Sequence, residues 1–589
     1  MSDLITLTID GVAVSVPKGT LVVDAAKKIG NEIPVFCYHP KLEPVGMCRM
    51  CLVEIGMPMR DRATGELILE ADGSPKLNFG RGLQTGCTVQ ASEGMVVRTA
   101  TEPVIEARAD VLEFLLMSHP LDCPICDKGG ECPLQDLTMA HGKGSSRMHY
   151  EDKIHLQKQV PLGELIILDR ERCIQCGRCI RFQEEIVDDP VIRFHERGRS
   201  LQIVTMSDPG FDSYFSGNTT DICPVGALTT TDFRFGARPW ELTPVASLCT
   251  HCPVGCNTTL STRREAKSGG RTVIKRILPR QNEAVNEIWI CDKGRLVHHY
   301  ADAADRLTTP MIRKNGELVA AEWDEALDLV AEKLGSLDAV AGLAGDRLSN
   351  EDLFLFQKLF RKGLQSNNID LAQRPLAGGD VVAQVGLTSG SNLLDLGADD
   401  AVLVVASDLH EEAPVWWLRV KQAADRGVKV VVVNPYATRL DKHAAQVITV
   451  LPGQLLATVN QLVNMAKVET DDTDNDIVAT AQLLSGATNL VIFYGSEGLA
   501  YAETDALARL LGNLLMIQNG SSHAGKLNSG LIPVWPRSNT QGAWDMGLHP
   551  ALAPGYKAVE EAGLDAAAIA AGAAAGSVKG LFVAGADPV

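Results

Sequence analysis

Aromatic residues are scarce. They make up 5% of 589 residues, which leaves few rings on which bases could stack. Positive charge is also short: 55 Lys and Arg stand against 73 Asp and Glu, a net charge of −18. A chain this acidic lacks the basic face that phosphates need, so nucleic acid is not expected as a partner. No window approaches the roughly 20 apolar residues that cross a bilayer. The Ala-rich run 566–575 is too short and is interrupted by Gly572. The first ten residues have neither the basic start nor the unbroken apolar core of a secretion signal. There is no G-x-G-x-x-G after a strand and no G-x-x-x-x-G-K-[ST] loop, so nicotinamide and flavin are expected on a partner. No acid–base pair or nucleophilic triad stands out, and no catalytic residue is assigned. Cysteine is absent after Cys291.

Before that point cysteine is abundant, with 15 residues between Cys37 and Cys291. An odd number without a secretion signal argues for free thiols in a reducing compartment, where clustered thiols bind metal. They fall into four groups. Cys37, Cys48 and Cys51 form C-x10-C-x2-C, with Cys87 downstream. Cys123, Cys126 and Cys132 follow His119. Cys173, Cys176 and Cys179 form C-x2-C-x2-C, completed by Cys223 before Pro224. Cys249, Cys252 and Cys256 are completed by Cys291. With His119 counted, each group has four ligands and no cysteine is left over.

Iron–sulfur clusters take four protein ligands, and a short C-x2-C arc lets one loop supply several. The first group has the plant-type order, except that its first gap is x10 rather than x4. Residues 5–9 and 12–17 alternate as a hairpin around Asp10-Gly11, and a helix follows over about 21–29. This predicts a β-grasp ferredoxin with a [2Fe–2S] centre. The second group follows a predicted helix over 104–117, with Val111, Leu112, Leu115 and Leu116 on one face and Pro120 as its stop. His119 therefore lies beside the cysteine loop as a ligand of a [4Fe–4S] centre. The third group resembles half of a bacterial two-cluster ferredoxin. Gln183 stands where another cysteine would be, so one [4Fe–4S] centre is expected. The fourth group, with a strand-like segment 272–277 between its parts, gives a third [4Fe–4S] centre. His251 is then surplus and reads as a solvated loop histidine. Zinc is the competing reading for the first three groups, most clearly for the second, a one-His/three-Cys set. Four centres along one chain suggest a wire for electrons, with a histidine ligand shifting one centre relative to its neighbours.

The cysteine-free half reads differently. Short apolar strands at 402–407, 429–434, 490–495 and 580–585 end in Ser, Asn or Gly and alternate with helices such as 323–334 and 351–362. This pattern predicts a doubly wound parallel α/β fold. Asp408, Glu411 and Glu412 follow a strand end, where such sheets bind ligands, but read as solvated loop acids. The sequence stops just after its last strand, where another helix is expected, which suggests a shortened chain.

The Cys/His series resembles the large iron–sulfur subunit of bacterial respiratory complex I, the NADH:quinone oxidoreductases, over essentially the whole length. The resemblance implies a multidomain α+β and α/β chain. Its parts are a β-grasp [2Fe–2S] domain at 1–97 and a one-His/three-Cys [4Fe–4S] module at 98–150. A [4Fe–4S] ferredoxin-like domain follows at 151–240, then a further [4Fe–4S] module at 241–300. A molybdopterin-oxidoreductase-like α/β domain at 301–589, incomplete at its C-terminus, completes the chain. It implies one [2Fe–2S] and three [4Fe–4S] clusters, with iron as the only metal. The first three centres would relay electrons from the flavin subunit that oxidises NADH towards quinone-side iron–sulfur subunits. The fourth lies off that path. Proton translocation would belong to other subunits, and this chain would be peripheral on the cytoplasmic side of the cell membrane. Iron-only hydrogenases share the first two modules but carry more cysteines. NAD-linked formate dehydrogenases share more and provide the alternative. Aligning Arg374 with their motif puts Leu376 and Ala377 at the metal-ligand and proton-handling positions, which neither side chain can fill. Lys293 resembles the lysine that bridges cluster and pterin, and the segment Ser538-Asn-Thr-Gln-Gly a cofactor-domain loop. Both read as inherited scaffold, and no molybdopterin is expected.

Overall fold

The structure is a computed structural model that describes residues 4–61, 64–208, 210–374, 376–468, 475–519 and 528–588. Pro375 of the Arg374 motif, the first three residues and Val589 lie outside them. The chain divides into two compact units, one of residues 1–244 and 261–276, the other of 245–260 and 277–589.

The first unit begins with the expected hairpin, Leu4–Ile9 against Val12–Pro17 in antiparallel register Ile9 to Val12. Its turn uses Asp10 and Gly11 at φ of 46° and 85°, the left-handed pair that a two-residue hairpin requires. Strand Val96–Arg98 runs parallel to Leu4–Ile9, and Leu52–Pro58 joins its far edge antiparallel. A hairpin, a parallel return strand and the covering helix Val22–Lys28 make the β-grasp. The core is Leu7, Ile9, Val16, Val22, Ala25, Val53 and Val97.

Helix Glu102–Leu116 follows, with Leu112 fully buried. It ends four residues before Pro120, which leaves His119 on the connecting turn. Further on, Ile166–Leu168 is flanked antiparallel by Leu228–Thr230 and Val160–Pro161, and Ile192–His195 pairs with Gln202–Thr205. Leu112, Ile166, Leu168, Ile180 and Val225 share one core with Cys132, Cys179 and Cys223.

In the second unit the expected parallel strands form two sheets rather than one. Five strands run in the order Gln446–Thr449, Lys429–Asn434, Ala401–Val405, Leu490–Tyr494 and Gly530–Pro533, all parallel. Gly580–Ala584 is not among them. It pairs with Val340–Ala344, which pairs with Ile369–Leu371, in a separate parallel sheet. The helix expected at 351–362 is Asn350–Lys358 followed by a wider turn, Leu359–Gly363. The Ala-rich segment is one helix, Ala566–Ala575, continuous through Gly572. Among the described residues no helix is long and apolar enough to cross a membrane.

Candidate iron–sulfur centres

The four thiols of the first cysteine group are brought together in a run of contacts, Cys48 to Cys37, Cys37 to Cys87 and Cys87 to Cys51. Cys37, Cys48 and Cys51 occupy the loop between helix Val22–Lys28 and strand Leu52–Pro58. Cys87 follows Gln84–Thr85, which pairs with that strand. The amides of Cys37 and Cys48 each donate to the other's Sγ at 3.5 Å. Cys51 Sγ lies 3.2 Å from Cys87 Sγ. These sulfur–sulfur hydrogen bonds hold two of the thiols, Cys37 and Cys51, below their ordinary range. The other two, Cys48 and Cys87, are pushed up by hydrogen bonding to neighbouring thiols and by burial.

His119 lines one cavity of about 240 Å³ with Cys123, Cys126, Cys132 and Arg172. The Cys123–Cys126 turn is held by the amides of Ile125 and Cys126, both donating to the Asp122 carbonyl at 2.8 Å. Cys132 opens helix Pro133–His141. Cys126 and Cys132 are buried, and Cys123 is exposed. His119 Nδ1 is buried and has no hydrogen-bond partner among the described residues. Burial, with help from Lys153 and Arg172, lowers the imidazole pKa to about 4. The ring is therefore neutral, with an unengaged nitrogen beside three thiols. A Cβ on Gly226 would lie 2.1 Å from Cys126 Sγ, so this cradle accepts only glycine.

Cys173, Cys176, Cys179 and Cys223 line a second enclosure with Leu168, Ile203, Val225 and Leu228. Gln175 and Gly177 at φ of 55° and 71° curl the loop around it. Burial pushes Cys173 up to about 12 and Cys176 to about 11. The thiolates that metals require are thus disfavoured here unless positive charge offsets the burial. Gln183 is fully buried.

In the second unit, the Cys249 amide donates to the Cys256 carbonyl at 2.9 Å. Cys291 caps helix Asp292–Leu296. Cys252 is pushed up to about 12 by burial and by Cys291 and Cys249, and Lys293 opposes that rise. His251 is not solvated. It is 8% exposed, its Nε2 lies 3.0 Å from the Val297 carbonyl, and burial lowers its pKa.

Four thiolates around one tetrahedral zinc, with Zn–S near 2.3 Å, stand about 3.8 Å apart. Among the described residues, none of the four groups brings three ligand atoms within 4.8 Å of one another.

At the Arg374 motif, Leu376 and Ala377 are each 2% exposed. The Ala377 amide donates to Thr504 Oγ1 at 2.9 Å, and Tyr494 Oη donates to the Ala377 carbonyl at 2.8 Å. Arg374 is engaged by Asp370 at 2.6 Å, by Tyr501 Oη and by His549 Nε2 at 3.2 Å. Residues 538–547 contain a short helix, Thr540–Asp545, with Trp544 buried, rather than an open loop. Of the three acids after strand Ala401–Val405, only Glu411 is exposed. Glu412 accepts from Ser407 Oγ, and burial with the nearby Glu497 and Asp408 raises it to about 7. Sequence reasoning passed over Arg172 and Arg178, which stand beside the third group. The available signal was a basic residue immediately before Cys173 and another immediately before Cys179.

Known proteins match the chain in the same order of modules. The 2Fe-2S iron-sulfur cluster binding domain profile matches residues 2–102, and the NADH-ubiquinone oxidoreductase-G iron-sulfur binding region matches 108–147. The NADH-quinone oxidoreductase subunit 3 ferredoxin-like domain matches 163–229, and the NADH-ubiquinone oxidoreductase NDSU1/NuoG-like 4Fe-4S domain matches 245–299. The molybdopterin oxidoreductase profile matches 306–589. The chain is 37% identical to the NuoG-type subunit of NADH-quinone oxidoreductase from Streptomyces coelicolor, over 99% of this chain and 69% of that one. It is 37% identical to the corresponding subunit from Mycobacterium bovis over 100% of this chain and 70% of that one. With NADH-quinone oxidoreductase subunit 3 of Thermus thermophilus the identity is 42%, over 69% of this chain and 52% of that one. The chain belongs to the NuoG-type family of NADH-quinone oxidoreductase subunits, an iron–sulfur electron-transfer component of a multisubunit oxidoreductase.

Proposed function

We propose that the chain holds four iron–sulfur centres and relays single electrons through three of them. Cys37, Cys48, Cys51 and Cys87 hold a [2Fe–2S] centre. His119, Cys123, Cys126 and Cys132 hold the first [4Fe–4S] centre. Cys173, Cys176, Cys179 and Cys223 hold the second, and Cys249, Cys252, Cys256 and Cys291 the third. When bound, such a centre gains or loses one electron with no bond or proton change in its ligands. The residues of the chain fix position, exclude water and set the potential. The observation that carries this reading is that the fold gathers the predicted ligands of a group from distant segments, the thiols of Cys37, Cys48, Cys51 and Cys87 bonded to one another and His119 lining one cavity with Cys123, Cys126 and Cys132.

Electrons enter from the flavin-bearing subunit that oxidises NADH and leave to iron–sulfur subunits on the quinone side. The chain is peripheral on the cytoplasmic face of the membrane. No molybdopterin cofactor is assigned to the α/β domain: Leu376 and Ala377, at the aligned metal-ligand and proton-handling positions, are buried aliphatic residues that can neither ligate a metal nor carry a proton. Low-temperature EPR of the reduced, anaerobically purified complex tests the assignment. Four single substitutions, Cys51→Ser, Cys126→Ser, Cys176→Ser and Cys252→Ser, each remove or alter a different signal. Fewer than three distinguishable iron–sulfur signals in the unsubstituted protein contradicts it.

A further inference from the structure

The loop of the third group carries one guanidinium on each side, and the two are neutralised differently. Arg172 precedes Cys173 and lines the cavity of His119 and Cys126. It is paired with two carboxylates, Asp122 at 2.9 Å and Asp169 at 3.2 Å. Arg178 lies two residues after Cys176, and its bonds among the described residues go to carbonyls rather than carboxylates. Its Nη1 donates to the carbonyl of Ile222, the neighbour of Cys223, at 3.1 Å. Its Nη2 donates to the carbonyl of Tyr38, the neighbour of Cys37. Its Nε is buried without a partner among the described residues. Burial lowers its pKa, and the thiols of Cys176 and Cys223 in one group and of Cys37 and Cys48 in the other oppose that fall. One turn later, Arg181 repeats the clamp, donating to the carbonyls of Cys37 and of Glu43, the latter at 2.6 Å.

A desolvated cation without a counter-ion is costly, so the anionic charge must come from the two cysteine groups. The asymmetry fits their donor sets. A centre on three thiolates and a neutral imidazole carries one negative charge fewer than a centre on four thiolates. The arginine facing the histidine-containing group is cancelled by carboxylates. The one between the two all-cysteine groups is left uncancelled.

We propose that Arg178 is a positioning residue shared by the [2Fe–2S] centre and the Cys173–Cys223 centre, with its charge raising both potentials together and its two Nη bonds locking the two ligand loops in place. The inference rests on the ligand assignment above. The transfer it serves moves one electron between those two centres, with no bond made or broken and no proton moved. A fixed positive charge favours the more negative, reduced state of each centre, so its removal makes both harder to reduce.

The test is a redox titration of the EPR signals in the intact complex carrying Arg178→Gln or Arg178→Lys. With Arg178→Gln, both midpoint potentials fall together, while that of the centre on His119 stays in place. With Arg178→Lys, which keeps the charge, both stay near their original values. Unchanged potentials in Arg178→Gln with full iron content overturn the proposal, as does an equal fall in both variants. If Arg178→Gln loses iron, Arg178→Lys decides: potentials near the original uphold the proposal, and lowered potentials overturn it. Cys176→Ala separates the role of Arg178 from the ligand assignment. A signal of the third group that survives it refutes the ligand assignment, whereas its loss beside unshifted potentials in Arg178→Gln refutes only the role of Arg178.

Discussion

His119 places a neutral, buried nitrogen in a group whose other members are thiols. His119→Cys is expected to keep a cluster and lower its potential, because a thiolate adds negative charge that imidazole does not. Redox titration of that signal checks this, and a signal left unchanged in potential and shape shows that His119 is not a ligand. Glu412 gives a second residue-level expectation. Its folded pKa of about 7 lies above the ordinary carboxylate value because it is buried near Glu497 and Asp408. The folded chain therefore holds a proton that the unfolded chain releases between about pH 4.5 and 7. The stability this group provides is complete below the unfolded value and declines as pH rises through 7. Glu412→Gln is expected to flatten that decline, gaining on the order of 2 kcal/mol at pH 8 relative to pH 5. Thermal unfolding at the two pH values measures it, and parallel shifts in both proteins contradict it. At this scale the sequence was informative about cysteines and blind to environment. Fifteen cysteines and one histidine group by spacing alone. The burial of His251, the raised Glu412 and the uncancelled Arg178 depend on what distant segments bring against them.

Among the elements, Gly342 in strand Val340–Ala344 shows how tightly the smaller sheet is packed. A Cβ there would lie 2.6 Å from the Phe360 ring and 2.8 Å from that of Phe356. Those two rings lie 5.0 Å apart by centroid and pack against Phe582 of the neighbouring strand at 5.5 Å from Phe356 and 6.3 Å from Phe360. Gly342→Ala is expected to cost about 1–3 kcal/mol through overpacking. An unchanged unfolding midpoint contradicts that packing account. The hairpin at Asp10-Gly11 was readable because turn chemistry is local. The division of the parallel strands into two sheets was not, because Gly580–Ala584 finds its neighbour more than 200 residues away. That neighbour, Val340–Ala344, is short, small and interrupted by glycine, and so gives a weak strand signal. The π-type turn Leu359–Gly363 likewise ends a helix that periodicity alone would extend.

Over the whole molecule, the chain combines three cysteine groups in one compact unit with a fourth at the start of an α/β unit of molybdopterin-oxidoreductase type. In the α/β unit, Leu376 and Ala377, expected at the metal-ligand and proton-handling positions, are both buried aliphatic residues. On the proposed assignment, the cysteine groups hold clusters and the α/β domain holds no cofactor metal. The most direct measurement is iron, acid-labile sulfide, zinc and molybdenum per chain on anaerobically purified protein. One [2Fe–2S] and three [4Fe–4S] centres predict about 14 iron and as many sulfide, without molybdenum or zinc. Zinc in place of iron, or a full equivalent of molybdenum, contradicts the account.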